Sequence, residues 1–158
     1  IRAICKYYRV VPSTSAVTQL ADQLGRLLVR ANREALYNRL TDGVDGVTPT
    51  TYPVLSGIAR GGPTTVTHLA TLIGLDRTVV TRYVTTLADA GLVSRTTDPG
   101  DKRATTVALT DVGRAAVQKM RQRLHRTLAE ATDDWAAGDV DALGELLGRL
   151  VDGFNAPR

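Results

Sequence analysis

Between Thr64 and Gly91, two short segments of helical periodicity are separated only by Gly74-Leu75-Asp76, and this constrains the fold more than any other feature. In the first segment Val66, Leu69, Ala70 and Ile73 recur at steps of three and four. Thr64 or Thr65 supplies its N-cap, and Gly74 ends it in a left-handed position. In the second, Asp76 is the cap, Val80, Tyr83, Val84 and Leu87 form the apolar stripe, and Gly91 closes it. Two helices joined by a three-residue turn containing Gly read as a helix-turn-helix.

The next segment extends the motif. Leu92 to Thr97 is short and β-branched, Asp98-Pro99-Gly100-Asp101 is a turn, and Arg103 to Leu109 is again rich in Thr and Val. Proline presets φ and glycine supplies positive φ, so the stretch predicts a β-hairpin. A hairpin placed directly after a helix-turn-helix is a wing.

Long helices are expected on both sides. From Ser13 or Ser15 to about Leu40, Val17, Leu20, Leu24, Leu27, Leu28, Ala31, Ala35 and Leu36 trace one face. The turn residues 42–46 end it. Pro53 delays the next helix to Thr50 or Thr51, and Gly61-Gly62-Pro63 stops it. Thr110 caps a helix whose stripe runs from Val112 to Trp135, with Gly138 ending it. Asp139 then caps a last helix carrying Val140, Leu143, Leu146, Leu147, Leu150, Val151 and Phe154. The expected class is mainly α with a small β-hairpin wing, a winged helix-turn-helix joined to long helices whose stripes pack on a core or on a second subunit. Residues 48–109 hold the helix-turn-helix and its wing, and residues 14–47 and 110–158 the flanking helices. Residues 1–13 differ in character and stand apart, as an N-terminal extension or a cloning remnant.

Charge is distributed unevenly. The net +4 arises from +3 over residues 1–13, zero over 14–59, +6 over 60–126 and −5 over 127–158. A basic central block suits a polyanionic partner, nucleic acid first, and equally suits an uneven but solvated surface. The lone Cys5 excludes an intrachain disulfide, and with His68 and His125 it cannot build a Cys/His zinc site. No apolar run approaches the roughly 18 residues needed to span a bilayer. With no cleavable signal visible, a cytosolic location is expected. No nucleophile–base pair, phosphate loop or metal cluster points to an enzyme or a cofactor.

The sharpest candidate site is the face opposite the stripe of the second short helix. Thr78, Thr81, Arg82 and Thr85 lie at i, i+3, i+4 and i+7, with Arg77 beside them, and no acid falls between Arg77 and Ala88. Small hydroxyl side chains allow close approach to base edges, and Arg can pair bidentately with guanine. A merely solvated face more often carries Glu and Lys. Thr65, Thr67 and His68 are candidate phosphate contacts at the preceding helix start. At the wing tip Asp98 can cap the turn and Asp101 can orient Arg103, with Lys102 between them. An oriented Arg suits a narrow minor groove; an exposed ion pair is the alternative reading. Tyr52 and Trp135 are candidate pocket residues or plain core.

Asp101-x-Arg103, followed by Leu109-Thr110 and Gly113, spells D-x-R-x5-L-T-x-x-G. It resembles the wing signature of MarR-family transcription regulators. Leu69-Ala70, Leu87 and Gly91-Leu92-Val93-x-Arg95 are similar to that family as well, and the resemblance spans about residues 14–155. It implies a homodimeric repressor, with residues 48–109 as the DNA-binding region and residues 14–47 and 110–158 as the helical dimerisation region, that occludes a double-stranded DNA operator and is relieved by a small-molecule inducer. It also implies that the helix bearing Thr78, Thr81 and Arg82 enters the major groove, that Arg103 enters the minor groove, and that Arg95 braces the wing. Two alternatives stand beside it: a winged-helix module for protein–protein contact, and a regulator that senses redox change through Cys5.

Overall fold

A computed structural model of the chain describes residues 13–97, 105–136 and 138–156. Cys5 and the wing-tip residues Asp98, Asp101, Lys102 and Arg103 lie outside the described residues. The element order is α1 (Thr14–Leu28), α2 (Arg30–Thr41), α3 (Tyr52–Gly61), β1 (Thr64–Thr65), α4 (Val66–Ile73), α5 (Arg77–Asp89), β2 (Val93–Thr97), β3 (Thr105–Leu109), α6 (Asp111–Ala131) and α7 (Asp139–Asn155). The mainly α expectation with a small wing holds.

One core organises the middle of the chain. Val54, Leu55 and Ile58 of α3, Leu69 of α4, Val80, Val84 and Leu87 of α5, and Leu92, Val93 and Val107 of the hairpin are all buried. Ala116, Val117 and Met120 of α6 close this core. The caps read from sequence are in place. Thr65 Oγ1 accepts from the His68 N–H at 3.2 Å, Asp76 accepts from the Thr78 N–H at 2.7 Å, and Gly74 sits at φ 67°. Before α3, residues 48–51 form a threonine-bonded turn in which the Thr51 N–H donates to Thr48 Oγ1 at 3.2 Å. Pro53 then falls at the helix start, where its missing N–H costs nothing.

The sheet has three strands in the order β1-β3-β2, both pairings antiparallel. Beyond the hairpin expected from sequence, Thr64 and Thr65 pair with Val107 and Thr106. The strand entering α4 is thereby tied to the return strand of the wing.

Three expectations are corrected. The first long helix is two. At Val29 (φ −56°, ψ 134°) the backbone leaves the helical region, and the Asn32 side-chain amide donates to the freed Arg26 carbonyl at 2.6 Å. That side-chain bond satisfies a carbonyl the uninterrupted helix would have used. The second long helix stops at Ala131 rather than running to Gly138. Thr132 turns its hydroxyl back to the Leu128 carbonyl at 3.0 Å, and Asp133 and Asp134 then oppose the negative helix end. Finally, Asp139 is the first residue of α7 and not its cap; left-handed Gly138 (φ 91°) holds the cap position without a side-chain bond.

The outer helices differ from the core. Neither α1 nor α7 buries any residue, although Val17, Leu20, Leu27, Leu143, Leu146, Leu147 and Phe154 are large and apolar. α7 has no close packing partner among the described elements.

Candidate nucleic-acid interface

α5 is held by its inner stripe and by Asp76. The carboxylate of Asp76 accepts from the Thr78 N–H, and this bond, with the nearby Thr78 hydroxyl and Val79 N–H, holds its pKa below the ordinary aspartate range. With Val80, Val84 and Leu87 fully buried, geometry forces Arg77, Thr78, Thr81, Arg82 and Thr85 outward, and all five are exposed. The structure therefore gathers the five predicted residues on one open helical face. The Arg82 guanidinium lies over the Tyr83 ring, 5.5 Å from its centroid, which preorients this cation.

Thr67 and His68 are exposed in the first turn of α4, while Thr65 is half-buried and occupied as cap and strand residue. Arg95 points from β2 toward α5, where its Nη1 donates to Thr85 Oγ1 at 3.4 Å. Ten residues separate the two in sequence. No local pattern signals this bond, and it links the wing to the exposed helical face.

The base of the wing is built by the L-T-x-x-G residues. The Thr110 hydroxyl donates to the Gly91 carbonyl at 2.7 Å and accepts from the Gly113 N–H at 3.0 Å. The Thr110 N–H donates to the Leu92 carbonyl at 3.1 Å. One threonine thus joins the end of α5, the return strand and the start of α6. Gly113 faces that same Leu92 carbonyl so closely that a Cβ would stand 1.9 Å from the oxygen. Any side chain at this position would force the wing base to shift.

Tyr52 lines two cavities. One, of about 360 Å³, lies between α3 and α6 and is bordered by Ser56, Arg60, Met120 and Arg121. The other, of about 230 Å³, is bordered by Tyr37, Pro53, Arg60 and Leu72. The rings of Tyr37 and Tyr52 stack at a tilt with centroids 4.7 Å apart. Trp135 lines neither cavity; it lies beyond the end of α6, 43% exposed. Arg60 and Arg121 are the cavity residues that sequence reasoning missed, since each reads locally as the polar side of a helix.

A helix-turn-helix whose exposed second helix carries no acid from Arg77 to Ala88, with a wing on its flank, defines a winged-helix transcription regulator. The MarR family model matches residues 45–104. The multiple antibiotic resistance protein MarR of Salmonella typhimurium is 31% identical over 142 residues, covering 88% of this chain and 98% of that protein. The chain belongs to the MarR family of transcription regulators. Its fold is similar to that of a MarR family protein from Bacillus stearothermophilus (TM-score 0.78, 18% identity, 92% and 100% of the two chains). It is also similar to BpsR of Bordetella bronchiseptica, whose DNA binding is regulated by 6-hydroxynicotinic acid (TM-score 0.64, 20% identity, 84% and 98%).

Proposed function

We propose that the chain is a sequence-specific double-stranded DNA-binding repressor acting as a homodimer. The observation that carries this reading is the exposed face of α5, where two arginines and three threonines stand together and no acid occurs from Arg77 to Ala88. In this reading α5 enters the major groove, with Arg82 on a guanine edge or a phosphate. Thr67 and His68 meet the flanking phosphates. Lys102 and Arg103, oriented by Asp101, meet the neighbouring minor groove, and Arg95 braces the wing. Residues 48–109 are the reading unit, and α1, α6 and α7 supply the dimer contact. Support for the dimer comes from α1 and α7, which bury no residue and leave large apolar side chains exposed. A DNA partner in turn implies a cytoplasmic location.

Relief by a small molecule is assigned to the cavities around Tyr52. The larger joins α3 of the reading unit to α6 and presents Arg60 and Arg121 beside Tyr52, and the smaller sets Arg60 beside Tyr37 and Tyr52, linings suited to a small aromatic anion. BpsR, with the same fold, is regulated by such a molecule. The protein–protein alternative has less support, because the outward face of α5 carries no apolar patch.

Selection from a random duplex pool tests the function. The expected result is a pseudo-palindrome with half-site centres about 10 bp apart, one turn of duplex. Recovery of no enriched sequence, with salt-independent weak retention, refutes it.

A further inference from the structure

The threonines of α5 have a feature the sequence does not disclose: their hydroxyl protons are spent inside the chain. Thr81 Oγ1 donates to the Arg77 carbonyl at 2.8 Å, Thr85 Oγ1 to the Thr81 carbonyl at 3.1 Å, and Thr86 Oγ1 to the Arg82 carbonyl at 3.2 Å. The Thr78 hydroxyl faces the Asp76 carboxylate and helps to stabilise its charge. A hydroxyl has one proton to give. Back-bonding to the preceding turn turns the oxygen toward the helix axis and leaves the γ-methyl as the outward group. On Thr85 the oxygen is engaged a second time, as acceptor from Arg95.

The consequence is chemical. Guanine presents two acceptors in the major groove, N7 and O6, and a hydroxyl whose proton points back into the helix offers them nothing. Thymine presents a C5 methyl, which an outward γ-methyl matches by apolar contact. Resting on the DNA-binding reading above, we propose that Thr81 and Thr85 act as methyl readers selecting thymine, and that guanine is left to Arg82 on the same face. The threonines then set specificity through their carbon atoms and not through their hydroxyls.

The test uses the full chain, the selected operator and a titration read by fluorescence anisotropy. Each operator thymine is replaced in turn by deoxyuridine, which removes only the C5 methyl. One buried methyl corresponds to about a fourfold affinity loss, and a symmetric pair of half-sites to about 16-fold. Two variants separate methyl from hydroxyl. Thr81→Val keeps the γ-methyl, and it should bind within about twofold of the parent and remain sensitive to deoxyuridine. Thr81→Ser keeps the hydroxyl; it should lose about fourfold per half-site and no longer respond to deoxyuridine at the contacted position. Circular dichroism confirms that both variants are folded. Full affinity in Thr81→Ser together with loss in Thr81→Val overturns the methyl reading while leaving DNA binding intact. So does an operator in which no thymine responds to deoxyuridine. A parent chain that enriches no duplex overturns the DNA-binding reading, and this inference with it.

Discussion

Replacing Gly113 by Ala sets two physical effects against each other with opposite signs. Gly113 lies in α6, where Ala is favoured over Gly by about 1 kcal/mol. Helix propensity alone therefore predicts a rise in Tm of about 3 °C for a chain of this length. The local packing predicts the reverse. The new Cβ would stand 1.9 Å from the Leu92 carbonyl oxygen and 3.0 Å from its carbon. Ordinary carbon–oxygen contacts begin near 3.3 Å, so the two must separate by more than about 1 Å. Leu92 is buried, its N–H donates to the Leu87 carbonyl at 2.9 Å, and its carbonyl accepts from Thr110 at 3.1 Å. Movement of that magnitude breaks the Thr110 bond at about 1–3 kcal/mol and overpacks the site by about as much again. Less the propensity gain, the net destabilisation is about 3 kcal/mol, a fall in Tm of about 6–12 °C. Thermal unfolding followed by circular dichroism measures it. Gly61→Ala is the control, since a Cβ there meets only Leu72 Cδ2 at 3.8 Å and should leave Tm within about 2 °C. A Gly113→Ala protein as stable as the parent would refute the close-approach reasoning.

The same geometry sets other outcomes. Thr110→Val removes the hydroxyl that bridges Gly91 and Gly113 and should lower Tm by about 3–6 °C, from about 1–2 kcal/mol of lost capping and hydrogen bonding. Asp76 has a depressed folded pKa, so its stabilisation is present above the unfolded value of about 3.9 and is lost as pH falls through the folded value. Asp76→Ala should therefore melt below the parent near neutral pH, with the gap narrowing in acid; a constant gap contradicts this. The pair Leu143→Glu and Leu147→Glu, placed on the uncovered face of α7, should reduce the light-scattering mass from about twice 16.9 kDa to 16.9 kDa without loss of helical signal. Asp101→Ala should weaken operator binding at two salt concentrations, although deleting an acid near phosphate would by charge alone tighten it.

The legible parts of the fold are those whose causes are local. Thr65, Gly74 and Asp76 announce the ends of α4 and α5 because a cap needs only residues two or three positions away. The outward face of α5 was legible for the same reason, since burying Val80, Val84 and Leu87 fixes which residues face out. The two-residue strand β1 was not legible, because its partners Val107 and Thr106 lie far downstream in the chain. Nor was the break at Val29, which turns on where the Asn32 amide reaches. The stripe through Trp135 continued beyond the real end of α6, since apolar spacing does not register Thr132 bending back on Leu128. The wing signature includes Leu109, Thr110 and Gly113 without a reason visible in the sequence; the clip at the wing base supplies it.

That clip has a mechanical meaning. The first half of α6 is embedded in the core as far as Met120 and is bonded at its start to both the wing and the end of α5. Its remaining residues run about 16 Å beyond that point to Ala131, beside α2. With no joint between, this far half acts as a lever: a sideways displacement of about 3 Å at Ala131 tilts the attached helix-turn-helix by about 10°. α1 joins α2 through Val29, whose non-helical backbone breaks the continuity between the two helices. Displacement at the far end of α6 is thus carried toward α5 along one continuous helix, whereas displacement of α1 meets the break at Val29 first.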